Sequence, residues 1–209
     1  MGATSERKRT SKPPEERRED ILDAAVRVFA DRGVRSATIA DITRAAGVAK
    51  GTFYLYFDSK EQLVRALKER MVDEILAHAG SLYERVGRQD WWALVDTFGE
   101  SYVDFMLEHR DMVQVMAQEQ ISLESDPPFS DCYQKIHEML TAGLRAGIEA
   151  GVFSSPDPEL TARLLHHAID GIMVHALLYE PEVDRDRLVA AIRDLLKRAV
   201  APVPAADTA

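Results

Sequence analysis

Residues 38–60 read Thr38-Ile39-Ala40-Asp41-Ile42-Thr43-Arg44-Ala45-Ala46-Gly47-Val48-Ala49-Lys50-Gly51-Thr52-Phe53-Tyr54-Leu55-Tyr56-Phe57-Asp58-Ser59-Lys60, and this stretch decides the fold. Thr38 stands three residues before Asp41, the spacing of a capping box, in which the hydroxyl accepts from the Asp41 amide and the carboxylate turns back on the first free N–H. A helix therefore starts there. Ile39, Ile42 and Ala46 share one side at helical spacing, and Gly47 follows where a left-handed stop needs no Cβ. Val48 tucks in at the turn, and Ala49–Tyr56 reads as a second short helix with Phe53 and Phe57 one turn apart and inward.

Two helices joined by a glycine turn are a helix-turn-helix, whose second helix enters a major groove. Small residues at Ala49 and Gly51 allow the backbone close to DNA. Lys50 reaches a guanine edge or a phosphate, and Thr52 a base or a thymine methyl; Tyr54 and Tyr56 donate to phosphate. Ser59 with Gln62 repeats the capping-box spacing and opens a third helix. Its exposed amides together with the Lys60 ammonium read as a phosphate clamp.

From about Arg17 to Leu67 the chain resembles the DNA-binding domain of the tetracycline-repressor (TetR) family of bacterial transcription regulators. Thr38-Ile39-Ala40-Asp41-Ile42, Ala45-Ala46-Gly47-Val48, Lys50-Gly51-Thr52-Phe53-Tyr54, Tyr56-Phe57 and Lys60-Glu61-Gln62-Leu63 carry the resemblance. It implies DNA contacts from Thr38, Ala49, Lys50, Gly51, Thr52, Tyr54, Tyr56 and Lys60. Ala49 stands where relatives often carry a polar side chain. The resemblance also implies a homodimer whose two heads occupy the half-sites of a pseudo-palindromic operator. Tyr54-Leu55-Tyr56-Phe57 and the helix layout are similar to the fatty-acid regulators of the family, which implies an acyl-type effector such as an acyl-coenzyme A.

At 209 residues and 46% hydrophobic, the chain can bury a full core in one or two domains. The single cysteine, Cys132, excludes an internal disulfide and reads as a small buried hydrophobe. No apolar leader opens the chain, and no run approaches the ~18 apolar residues of a membrane span. A cytoplasmic protein is expected. The net charge of −9 is unevenly spread: residues 1–60 hold 12 Lys/Arg against 9 Asp/Glu, and residues 61–209 hold 14 against 26. An acidic body repels phosphate and leaves the N-terminal face as the favourable contact surface.

Residues 1–12 read as a disordered basic tail, either an arm that follows DNA or a solubilising leader. Residues 13–60 form the helix-turn-helix domain, residues 61–200 a helical effector-binding and dimerisation domain, and 201–209 a disordered tail. The first helix follows Pro13-Pro14 with Ile21, Leu22, Ala25, Val26 and Phe29 as its buried stripe. The helix after Ser59 runs to about Val86, with Gly87-Arg88-Gln89 as a break. Five further helices and no strands follow, about nine helices in all, giving an all-α fold. Asp90, Asp157 and Asp184 read as N-caps, and Leu123–Pro128 as a loop in which Asp126 is a start signal. Gly143 and Gly147, one turn apart, each cost about 1 kcal/mol against Ala and predict close approach of another element. The last two helices, about 157–199, are apolar on more than one face, which predicts a four-helix homodimer interface.

No glycine-rich phosphate loop, nucleophile elbow or carboxylate pair is present, so no enzyme and no cofactor is expected. An effector pocket is expected from Trp91, Phe98, Tyr102, Phe105, Met106, Met112, Met116, Met139, His166, Asp170 and Met173, since aromatics and Met line adaptable apolar cavities. His166 and Asp170 have i, i+4 metal-ligand spacing, with His167 and His175 nearby. Histidines on a mostly apolar helix are more often satisfied core or interface residues, so no metal is expected. The expected function is a homodimeric repressor released from its operator by a small apolar effector. The alternative is a DNA-binding architectural or protein-partner module without an effector.

Overall fold

The computed structural model describes residues 13–87, 90–120 and 129–202, without the side chains of residues 118–120 and 129–132. The expectations for the 1–12 tail, Arg88-Gln89, the Leu123–Pro128 loop with Asp126, the Cys132 side chain and the tail beyond 202 lie outside the described residues. Among the described residues there are nine helices and no strand, in agreement with the all-α reading: α1 (Pro14–Arg32), α2 (Ile39–Ala46), α3 (Lys50–Phe53), α4 (Lys60–Val86), α5 (Trp91–Glu108), α6 (Arg110–Gln120), α7 (Phe129–Glu149), α8 (Pro158–Tyr179) and α9 (Arg185–Val200). No helix among them is long and apolar enough to cross a membrane. The chain divides into two compact units between Ala66 and Leu67, inside α4. The first unit thus runs six residues past Lys60, because Leu63, Val64 and Ala66 are buried and belong to it.

In the first unit, Ile21, Leu22, Ala25 and Phe29 of α1 meet Ile42 of α2, Phe53 of α3, Phe57 and Leu63 in one core, all at most 2% exposed. Val26 of the expected stripe is only half-buried. Burial of each large side chain contributes about 1.5–3 kcal/mol, so the short α2 and α3 are held by packing rather than by their own propensity. Gly47 takes φ 66°, ψ 29°, and the Gly47 and Val48 amides donate to Arg44 and Thr43 in a Schellman stop. Only a residue free of Cβ adopts that backbone without strain.

In the second unit the principal pairings are α5 with α9 and α7 with α8. Gly99 lets α5 approach α9, since a Cβ there would sit 3.3 Å from Ile192 Cγ2 and Arg193 Cγ. Arg185 donates to Asp104 and Glu100, and Lys197 to Asp96, along the same seam. The expected caps are present: Ala93, Leu160 and Arg187 donate their amides to Asp90, Asp157 and Asp184. Gly151, at φ 73°, ends α7 in a second Schellman stop, with Gly151 N–H to Ile148 and Val152 N–H to Gly147.

The two glycines of α7 behave differently. Gly147 fits the expectation of close approach: its missing Cβ would lie 2.0 Å from Phe153 Cδ2. Gly143 does not, since a Cβ there would meet nothing within 4 Å. It faces a cavity instead.

Candidate nucleic-acid interface and ligand cavity

The capping box at Thr38 is complete. Asp41 N–H donates to Thr38 Oγ1 at 3.2 Å, and Asp41 Oδ2 accepts from the Thr38 amide at 3.2 Å and from its hydroxyl at 2.6 Å. The Thr38 bonds, with Arg32 and Arg44 beside it, hold the Asp41 carboxyl below the usual carboxylate range. Thr38 is therefore engaged in starting α2. At α4, Gln62 N–H donates to Ser59 Oγ at 3.2 Å while the Gln62 side-chain oxygen accepts from the Asp58 amide.

The second helix of the motif is shorter than the expected Ala49–Tyr56. Lys50–Phe53 is helical, and Tyr54–Tyr56 form a turn in which Leu55 and Tyr56 donate three residues back, to Thr52 and Phe53. Tightening to i→i+3 bonds at a helix end is usual where the chain must turn. Here it keeps Phe53 and Phe57 together in the core, ring centres 5.6 Å apart, while Leu55 remains 78% exposed. Ala49, Lys50, Gly51 and Tyr54 are exposed; Thr52 and Tyr56 are half-buried.

Lys60 does not present a free ammonium for the expected phosphate clamp. Its Nζ donates to the carbonyls of Val34, Arg35 and Ala37 at 2.8, 3.2 and 3.1 Å. An ammonium has three hydrogens, so all are committed to the α1–α2 loop. Lys60 braces that loop.

The second unit holds a cavity of about 660 Å³, within the size range of small-molecule sites. Trp91, Phe98, Tyr102, Phe105, Met106, Met116, Met139, His166 and Asp170 lie on its wall. Met112 and Met173 do not: both are buried, at 5% and 0% exposed, on other faces of α6 and α8. Met71, Val72, Ile75 and Leu76 of α4 and Tyr133 of α7 also line the cavity, outside the expected set. The signal for them is the apolar repeat of α4 beyond Leu67, which continues after its first turns are spent on the other core.

Lys68, His78 and Tyr83 add polar side chains to the wall, and a polar cluster sits on α5, α7 and α8. Tyr102 OH donates to Asp170 Oδ1 at 3.3 Å, and burial raises the proton affinity of both groups. Nearby, His166 Nδ1 lies 2.9 Å from His137 Nε2, and burial, then His137 and His167, pushes the His166 pKa down to about 4. An uncharged imidazole with a carboxyl and a phenol hydroxyl gives the cavity both donors and acceptors.

Residues 21–67 match the family described as bacterial regulatory proteins, tetR family, and residues 128–201 match the BetI-type transcriptional repressor, C-terminal. The transcriptional repressor KstR2 of Rhodococcus jostii is 32% identical over 155 residues, 71% of this chain and 74% of that one. The chain belongs to the tetR family. The uncharacterized regulator YvdT of Bacillus subtilis is 36% identical over 96 residues, 46% of this chain and 48% of its own length, so the chain matches about half of that relative. Among solved structures, the ketosteroid transcriptional regulator KstR2 of Mycobacterium tuberculosis has TM-score 0.63 and 24% identity, covering 90% of this chain and 96% of that one. Membership makes this tetR-family chain a DNA-binding transcriptional regulator and not an enzyme. The tetR match over 21–67 covers both helix starts, the Gly47 stop and the exposed Lys50, Gly51 and Tyr54.

Proposed function

We propose that the chain acts as a homodimeric repressor, released from a pseudo-palindromic operator by a small apolar effector held in the second-unit cavity. The observation that carries this reading is the cavity itself, about 660 Å³ with a mostly apolar wall interrupted by a few polar side chains. An apolar body fills the wall, and a polar end meets Tyr102, Asp170 and His166. A long-chain acyl compound is the first probe class. A ketosteroid, named for the KstR2 structure, is the second.

The dimer reading draws on α8 and α9. Leu160, Leu164, Ile172 and Tyr179 stand 41–65% exposed along α8, and Leu195 is 40% exposed on α9. Such a stripe on adjacent helices suits a self-complementary partner. Effector binding acts on the wall residues Met71 to Leu82 of α4, the helix whose first turn belongs to the head. The effector must favour the non-binding arrangement by the free energy of the shift it causes.

At the head, Ala49, Lys50, Gly51, Thr52, Tyr54 and Tyr56 form the DNA-facing set, with Thr38 and Lys60 positioning the helices behind it. Lys50→Ala and Tyr54→Ala are each expected to weaken operator binding by roughly 1–3 kcal/mol without changing the melting temperature. Fluorescence anisotropy on the upstream DNA of the gene checks this, and full affinity in both variants would sink the head assignment.

The cavity is tested separately at Gly143, where an added side chain meets open space. Gly143→Leu is expected to leave folding and operator binding intact and to abolish release by the acyl or steroid probe. Release that persists in this variant places the effector elsewhere. If no probe, and no molecule found by mass spectrometry in the purified protein, alters DNA binding, the reading as an architectural or protein-partner module replaces this one.

A further inference from the structure

Three imidazoles converge on the α7–α8 seam: His137 of α7 and His166 and His167 of α8. Their ring centres form a nearly equilateral triangle, 5.0 Å from His137 to His166, 5.3 Å from His137 to His167 and 5.2 Å from His166 to His167. With Zn–N near 2.1 Å and each ring centre about 1.1 Å beyond its nitrogen, three imidazoles on a tetrahedral ion have centres about 5.3 Å apart. The observed triangle matches that spacing. Candidate ligand nitrogens already lie within 4.8 Å of one another, so bringing them to one point takes rotation about the broad terminal torsion of the ring rather than movement of a helix.

A neutral hydrogen bond between His166 Nδ1 and His137 Nε2, 2.9 Å apart, accounts for two of the rings. It does not involve the third ring, which packs together with the other two against Tyr133, ring centres 5.4–6.2 Å away. The surroundings are mixed in charge. Arg163 acts on His137 and is itself paired with Glu159, while His167 acts on Asp170, one turn beyond His166, whose carboxyl accepts from Tyr102. His167 is exposed and His166 buried, so the seam is open on one side and walled on the other.

We propose that His137, His166 and His167 bind a divalent ion of the zinc class, pinning α7 to α8. Imidazole suits zinc, cobalt, nickel and copper, and three protein nitrogens leave one tetrahedral position for water or an exogenous donor. The site stands independently of what fills the cavity, although His166 also lies on the cavity wall.

The test uses the full-length chain without a histidine tag, stripped with chelator and titrated with cobalt(II) chloride. One equivalent is expected to bind with the intense visible absorption of a four-coordinate nitrogen-ligated ion, to be displaced by one equivalent of zinc, and to raise the melting temperature. His137→Asn and His167→Asn should each weaken binding by more than the roughly 10–100-fold that loss of an outer-shell partner costs. His175→Asn, exposed further along α8, should leave it unchanged. His167 is exposed, so its variant folds even if substitution at buried His166 does not. Absence of saturable binding, or binding unaltered in both His137→Asn and His167→Asn, overturns the proposal.

Discussion

Phe153→Ala is expected to destabilise the second unit by about 3–5 kcal/mol, the cost of deleting a buried aromatic ring. For a chain of this length that corresponds to a fall in melting temperature of roughly 10 °C, read by calorimetry or circular dichroism. The size follows from what surrounds the ring. Trp91 and Trp92 of α5 meet it edge-on, ring centres 5.6 and 5.4 Å away, and Leu144 and Val200 share its cluster. Its backbone is tied as well: Phe153 N–H donates to Gly147 at 3.1 Å, and the next amide, Ser154, donates to Val200 at 2.8 Å. The α7 Schellman stop, the α5 start and the α9 end therefore meet at one side chain. An unchanged melting temperature in Phe153→Ala would refute this account.

The same geometry makes a double-variant cycle informative. In the wild-type background Gly147→Ala places a methyl 2.0 Å from Phe153 Cδ2, so the ring must give up its edge-on packing with the two indoles and shift toward the cavity it also lines. Overpacking of this kind costs about 1–3 kcal/mol. In the Phe153→Ala background the methyl enters vacated space, so Gly147→Ala should be nearly neutral, and the coupling between the two sites approaches the whole cost of the single change.

Gly143 shows why this was only half legible in the sequence. Both glycines sit at the same helical spacing and cost the helix the same, so from the chain alone each predicts a close neighbour. One is covered by Phe153, six residues on and past a chain reversal; the other faces the cavity. The features that were legible are those closed within three or four residues: the Thr38–Asp41 box, the Asp90, Asp157 and Asp184 caps, and the Gly47 stop. Met112 and Met173 have the right chemistry for a pocket wall, and only the rotation of α6 and α8 about their own axes turns them away from it. His137 escaped notice because it comes within reach of His166 across 29 residues of chain, whereas His166 and Asp170 advertise their spacing on one helix. A local code reports helix ends well; it does not report which distant partner a side chain will meet.

Lys60 presents the sharpest case, because its position next to a helix start makes a phosphate contact the natural reading, and its carbonyl partners lie 23 to 26 residues upstream. Lys60→Met keeps the stem and removes the donors. Three carbonyls then lose a charged partner at once, two of them on the buried residues Val34 and Ala37. Each such bond contributes about 1.5–3 kcal/mol, but they share one ammonium and water replaces part of the loss, so the head is expected to lose about 3 kcal/mol. Hydrogen exchange should show it as faster exchange in the α1–α2 loop and α2, with the second unit unchanged. The two roles separate in the salt dependence of operator binding. If Lys60 neutralised a phosphate, the slope of log K against log salt would fall by about 0.9 in the variant, with stability intact. As a brace it should leave that slope near its wild-type value while lowering affinity through the fraction of heads whose α2 is out of place. A reduced slope with unchanged exchange in the loop would return Lys60 to the DNA-contacting set.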